Sequence, residues 1–299
     1  MASKGVLHTY APGLVAYEHH PSSSSLSSDD NKLLFIGGLG DGLFTVLYIQ
    51  HLLTLSNWAV VEIITSSSYK GWGTGSIKRD VEEIAKAVQY FRNLNPDGKI
   101  VLFGHSTGSQ DTMQYLLDMA AGNVPGIDGG VMQAPVSDRE AIVMTTSKTS
   151  YLTSLNFCES FIKDGRGHEV LPCEMRPGFE DTPISAERWW ALAAPLDKEG
   201  RPQGKDDFFS SDLKDPTLRN TFGRIPKNIP VLALYSEKDE FVPKEVDKEK
   251  LLARWREQAE NENFKAELVV GASHSLQGAE EEVMMGFVER VKAFLGEVA

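Results

Sequence analysis

Residues 101–110 read VLFGHSTGSQ: an apolar run closes on Gly104, and Ser106 stands between Gly104 and Gly108. The run is continuous rather than alternating, as in a strand buried on both faces. The following SQDTMQYLLDMAAG has apolar residues at helical spacing and stops at Gly122. A small polar residue is therefore pinned at a strand-to-helix turn. Such a turn strains its central residue and crowds the flanking positions, where only hydrogen fits well. It also projects a hydroxyl at a helix amino end, where N–H groups favour developing negative charge. An ordinary connection is the bland alternative. With strand and helix both in register, the pattern favours Ser106 as a nucleophile.

Outward from this turn the chain alternates. KLLFIGG (32–38), NWAVVEIIT (57–65), KIVLFG (99–104), IDGGVMQAP (127–135), IPVLALYS (229–236) and FKAELVVG (264–271) read as strands. Helical patterns cover about 43–56, 77–94, 109–122, 244–260 and 279–296. That rhythm predicts an α/β fold with a mostly parallel sheet covered by helices on both faces. GVLHTY and LVAYEHH predict a hairpin about Ala11-Pro12-Gly13, and SSSSLSSDDN (22–31) a polar loop. From 137 to 225 the rhythm breaks, and the stretch reads as irregular, an inserted cap. The expected division is a core of 1–136 and 226–299 with a cap of 137–225.

A chain of 299 residues can bury a large single core. Its formal charge of −12 argues against nucleic acid and against anionic membrane surfaces, which need clustered Lys and Arg. The amino terminus has no basic segment followed by a long apolar core, and no apolar run approaches the roughly 18 residues that span a bilayer. Cys158 and Cys173 read as free thiols of a reducing compartment, so a cytoplasmic location is expected.

A serine hydroxyl needs a base. Of seven histidines, His8, His19, His20 and His51 fall in the hairpin or on a helix, and His168 in the cap. His105 adjoins the serine but points away on the turn. His274, in GASHS, directly follows a strand, in the loop where a parallel sheet presents residues at its carboxyl edge. It is the expected base. Its orienting acid is expected at Asp239, just past the strand ending in LALYS, with Glu240 and Asp138 as rivals. The order Ser, Asp, His is that of α/β hydrolases. Gly37-Gly38-Leu39-Gly40-Asp41-Gly42 follows the first buried strand and predicts an oxyanion hole, with backbone donors at Leu39 and Thr107. The loop misses both G-x-x-x-x-G-K-[ST] and G-x-G-x-x-G, so a phosphate cradle is not favoured, and Asp41 reads as a helix N-cap. Gly71-Trp72-Gly73-Thr74-Gly75 reads as a loop near the pocket. Neither metal-ligand spacing nor a cofactor motif stands out.

Together FIGGLGDGL, GWGTGSIKRD, VLFGHSTGSQD, QAPVSDREA, YSEKDEFVP and GASHS make the chain resemble the fungal siderophore (fusarinine C) esterase family, over about residues 5–295. That group lies within the α/β hydrolases and was formerly a domain of unknown function. The resemblance implies hydrolysis of fusarinine-type siderophore esters to release iron in the cell, with Ser106, Asp239 and His274 at the family's triad positions. A small-molecule ester, possessing no nucleic-acid or membrane character, is the implied partner. The residues alone reach only an acyl bond, and leave open a general carboxylesterase, a lipase, an acyltransferase or a non-catalytic binding protein. Trp189, Trp190, Phe208 and Phe209 offer apolar walls for a substrate, although aromatics in a cap more often form its own small core.

Overall fold

The computed structural model describes residues 4–20 and 31–298. The expected polar loop lies outside the described residues, apart from Asn31. Eight strands form one sheet: β1 (Gly5–Ala11), β2 (Leu14–His19), β3 (Asn31–Ile36), β4 (Trp58–Ile64), β5 (Ile100–His105), β6 (Gly129–Gln133), β7 (Val231–Ser236) and β8 (Phe264–Val269). Their order is β1-β2-β4-β3-β5-β6-β7-β8. The amino-terminal hairpin pairs antiparallel, β2 joins β4 antiparallel, and every other pairing is parallel.

The helices follow in chain order: α1 (Ile49–Leu52), α2 (Ile77–Leu94), α3 (Thr107–Ala120), α4 (Asp138–Thr145), α5 (Lys148–Lys163), α6 (Ala186–Ala193), α7 (Asp215–Arg219), α8 (Lys248–Gln258) and α9 (Glu281–Val298). Alternation along each central strand divides the core. Leu34, Ile36 and Leu102 face α2, α3 and α8, whereas Leu33, Phe35, Val101 and Phe103 face α1 and α9. With both faces covered, the central strands are largely apolar, which is why they read as continuous runs.

Two sequence expectations fail here. The helix expected over about 43–56 shrinks to α1. Phe44 has a left-handed φ of 64°, and its N–H donates to Glu62 Oε2 at 3.0 Å, which draws the chain out of a helical path. The apolar spacing that suggested a helix instead reports burial of Val46, Tyr48, Ile49, Leu52 and Leu55 against the sheet. The stretch expected to be irregular carries α4 to α7, three of them capped by serine. Ser137, Ser147 and Ser185 accept from the N–H groups of Glu140, Ser150 and Arg188. These helices pack on one another around Tyr151, Leu155, Cys158, Trp189 and Leu192.

Candidate active site

The turn after β5 has the geometry its glycines require. Ser106 sits at φ 53° and ψ −122°, outside the regions open to ordinary residues, and starts α3. A Cβ on Gly104 would lie 2.6 Å from the Ser109 nitrogen, and one on Gly108 2.9 Å from the Gly37 carbonyl oxygen. The turn is held by Ser106 N–H donating to Gln133 O at 3.0 Å and Ser109 Oγ donating to the same carbonyl at 3.1 Å.

At the same end of the sheet, the loops after β7 and β8 are bonded to each other. Lys238 N–H donates to Ala272 O at 2.8 Å, and Gly271 N–H to Glu237 Oε2 at 2.7 Å. This brings Asp239 Oδ2 within 2.8 Å of His274 Nδ1, with the aspartate side chain wholly buried. The rivals lie elsewhere. Glu240 accepts from the His274 backbone N–H at 3.0 Å, and Asp138, at the start of α4, accepts from Gln110 Nε2 at 2.7 Å. Loss of hydration pushes Asp138 up to about 7.

Ser106 and His274 are linked through Gln133, whose Nε2 donates to His274 O at 2.9 Å while its carbonyl holds Ser106 N–H. Among the described residues no hydrogen bond runs directly from Ser106 Oγ to the imidazole. The His274 ring lies between Phe241, 4.7 Å away centroid to centroid, and His105, 5.2 Å away. His105 is buried, and its Nδ1 meets Gln133 Oε1, an acceptor, so that nitrogen carries the proton. Burial first, then the neighbouring His274 charge, lowers its pKa to about 4, which leaves a neutral ring beside His274. Neither His105 nor Gln133 emerged from sequence as part of this arrangement.

The 37–42 loop reaches the serine from the other side. A Cβ on Gly38 would stand 2.6 Å from Ser106 Cβ. Asp41 caps no helix; its Oδ2 accepts from Gly38 N–H at 2.8 Å and its Oδ1 from Thr45 Oγ1 at 3.0 Å, which shapes the loop. Gly38 N–H is thereby occupied. Among the described residues neither the Leu39 nor the Thr107 N–H has a hydrogen-bond partner.

The aromatic walls need correction. Trp189 is fully buried, its Nε1 donating to Ser154 Oγ at 3.1 Å, in the small core that α4, α5 and α6 form among themselves. Trp190 packs half-buried against that cluster, while Phe208 and Phe209 join the main core with Phe222 and Trp255. Trp72, on the short turn Gly71–Thr74, does line the cleft beside Leu39 and Thr107. Cys158 is buried and Cys173 exposed, both free. No helix among the described residues is long and apolar enough to cross a membrane.

Comparison with known proteins agrees with this architecture. Residues 1–296 match a family described as "Protein of unknown function (DUF1749)". The fusarinine C esterase sidJ of Aspergillus fumigatus is 33% identical over 341 residues, covering 97% of this chain and 95% of that protein. Esterase AN6793 of Emericella nidulans is 35% identical, covering 98% and 92%. Among solved structures, the siderophore hydrolase EstB from Aspergillus fumigatus superposes with a TM-score of 0.83 at 31% identity, covering 100% of this chain and 98% of that one. The chain has the α/β-hydrolase fold and belongs to the family described as "Protein of unknown function (DUF1749)".

Proposed function

We propose that the protein is a serine carboxylic ester hydrolase that cleaves ester bonds of fusarinine-type hydroxamate siderophores in the cytoplasm, aiding release of their iron. The observation that carries the reading is the buried Asp239–His274 pair, 2.8 Å apart, at the sheet end where Ser106 is held in a strained turn. The named esterases among its relatives supply the substrate class.

In this mechanism Ser106 Oγ bonds to the ester carbonyl carbon while His274 Nε2 takes its proton. Asp239 holds the ring so that Nδ1 carries its hydrogen and Nε2 faces the serine. The serine–imidazole bond closes as substrate seats, since such bonds are commonly long in the unliganded enzyme. The carbonyl oxygen becomes an oxyanion facing the Leu39 and Thr107 N–H groups, each worth about 100–1000-fold in rate. The ester C–O bond breaks and the alcohol leaves with the proton from His274. Water then gives a proton to the same imidazole as its oxygen attacks the acyl carbon; the bond from that carbon to Ser106 Oγ breaks, the acid leaves, and His274 returns the proton to Ser106. Residues 137–225 serve as the cap on a core of 1–136 and 226–299.

Mass spectrometry after incubation with cyclic and linear fusarinines, with and without iron, tests the proposal. Linear hydrolysis products are expected, together with a fluorophosphonate adduct on Ser106. Ser106→Ala should keep the fold and lose several orders of magnitude in turnover. Retention of most activity in that variant removes Ser106 from the mechanism.

A further inference from the structure

Behind the 37–42 loop lies a small cavity of about 30 Å³, walled by Leu39, Trp72, Asp80, Thr107, Asp111 and Arg188. We infer that this cavity is a subsite for a small cation of ammonium size, either a primary ammonium on the ester substrate or a free monovalent ion. The inference rests on the ester-hydrolase reading and refines what that site accepts.

The polar atoms of the cavity are unbalanced. Asp80 Oδ1, Asp111 Oδ1 and Thr107 Oγ1 are buried without a hydrogen-bond partner in the protein, on residues 4%, 5% and 6% exposed. Leaving buried acceptors unmet costs about 1–3 kcal/mol each, more when charged. Among the described residues neither Asp80 nor Asp111 is in an ion pair. Arg188 lines the cavity and acts on both acids through space, but its hydrogen bonds go to Asp206 and, from Nε, to Trp72 O at 3.0 Å; Arg79 donates to Ser67 Oγ at 3.1 Å.

The surrounding charge is acidic. Asp111 feels Asp80, Asp206 and Asp138 against Arg188, and Asp80, which takes a hydrogen bond from Ser67, feels Glu83 against Arg188 and Arg79. Burial above all pushes Asp80 up to about 6 and Asp111 well above the ordinary carboxylate range. Both acids are thus held where a bound positive charge would restore their ionised form.

An ammonium group fits this deficit: it brings one positive charge and three donors, matching three unmet acceptors. Thr107 and Asp111 stand four residues apart on α3 and therefore on one face of it. Gly38, whose added Cβ would meet Ser106, and Thr107, which directly follows it, both line the cavity, so the cavity adjoins the serine turn. A divalent ion is less suited, since no cluster of three metal-ligating side chains occurs among the described residues.

The test compares an α-aminoacyl ester carrying a free amine with its N-acetylated counterpart, on wild type, Asp111→Asn and Asp80→Asn. Ammonium chloride is titrated in parallel, with tetramethylammonium chloride holding the ionic strength. If the cation is the substrate's own, wild type favours the free-amine ester at least tenfold in kcat/KM. Both variants then lose that preference, and ammonium chloride competes with the charged ester. If the cation is free, the two esters react alike, ammonium raises the melting temperature or the rate, and both variants abolish the response. Neither a preference nor an ammonium effect in wild type, or effects unchanged in the variants, overturns the subsite. The wild-type melting shift needs no variant to fold. Equal hydrolysis of both esters without a cation effect removes the subsite alone; hydrolysis of neither ester removes the ester-hydrolase reading, while the melting shift still decides the subsite.

Discussion

Replacing Asp239 by Asn isolates the feature on which the catalytic reading depends. The carboxylate is wholly buried and lies 2.8 Å from His274 Nδ1. An amide there presents N–H as readily as oxygen, so Nδ1 can turn acceptor and Nε2 then holds the hydrogen. A ring in that tautomer cannot take the proton of Ser106. The imidazolium formed in the reaction also loses its counter-charge. At roughly 4 Å between charge centres, and an effective dielectric constant of about 20, that attraction is about 4 kcal/mol. The two effects together predict a fall of about 10⁴ in kcat, or about 5 kcal/mol. Asp138→Asn should cost less than tenfold, because Asp138 bonds Gln110 rather than His274. The assay is steady-state hydrolysis of a soluble ester, with Ser106→Ala as baseline and circular dichroism as the check on folding. An Asp239→Asn variant that keeps a tenth of kcat, or an Asp138→Asn variant that loses more, would refute the assignment of the acid.

Ser106→Gly should be more stable than Ser106→Ala by about 1–3 kcal/mol, since glycine alone takes φ 53°, ψ −122° without strain; equal urea midpoints would argue against a strained turn. Gly38→Ala should keep the fold and lower kcat at least a hundredfold, because the new methyl meets Ser106 Cβ and displaces the Leu39 donor; undiminished turnover would place the oxyanion elsewhere. Asp138, raised to about 7 in the folded chain from 3.8, keeps a proton that the unfolded chain releases, so stability falls as pH rises from about 4 to 7 and levels above that. Asp138→Asn should flatten part of this decline in melting temperature between pH 5 and 8, and an unchanged slope would contradict the raised pKa.

What could be read from sequence was what short-range sterics determine. The turn at Ser106 needs hydrogen at Gly104 and Gly108 because backbone atoms occupy the space of a side chain, and that demand is written within five residues. The central strands were legible because burial on both faces leaves little polar alternation, and the edge strand β8 because Phe264, Ala266 and Val269 are its buried positions. The acid was legible only as a choice among Asp239, Glu240 and Asp138, because the bond to His274 spans 35 residues and depends on two loops lying side by side. The helices of 137–225 were missed because they are short or interrupted by loops, although α5 buries Tyr151, Leu155 and Cys158 at helical spacing and serine caps at 137, 147 and 185 marked three of the starts. Trp189 was placed on a wall because nothing local distinguishes an aromatic facing substrate from one facing its own helices.

Asp80 and Asp111 were least legible, since an aspartate on an amphipathic helix ordinarily marks the solvent face. Here α3 is buried all round from Thr107 to Met113, so Asp111 has no solvent face to occupy. The same first turn therefore has two electrical duties. In the proposed mechanism its Thr107 N–H meets the oxygen that becomes negative, while Asp111, one turn on, is buried behind it with its pKa pushed up by burial. An unpaired carboxylate at that depth opposes oxyanion formation unless it is protonated or balanced by a cation. Burial provides the first remedy and a bound ammonium the second. Filling the cavity and accelerating the acyl transfer are thus coupled through one helix, and a substrate that carries its own positive charge restores the balance only once it is seated.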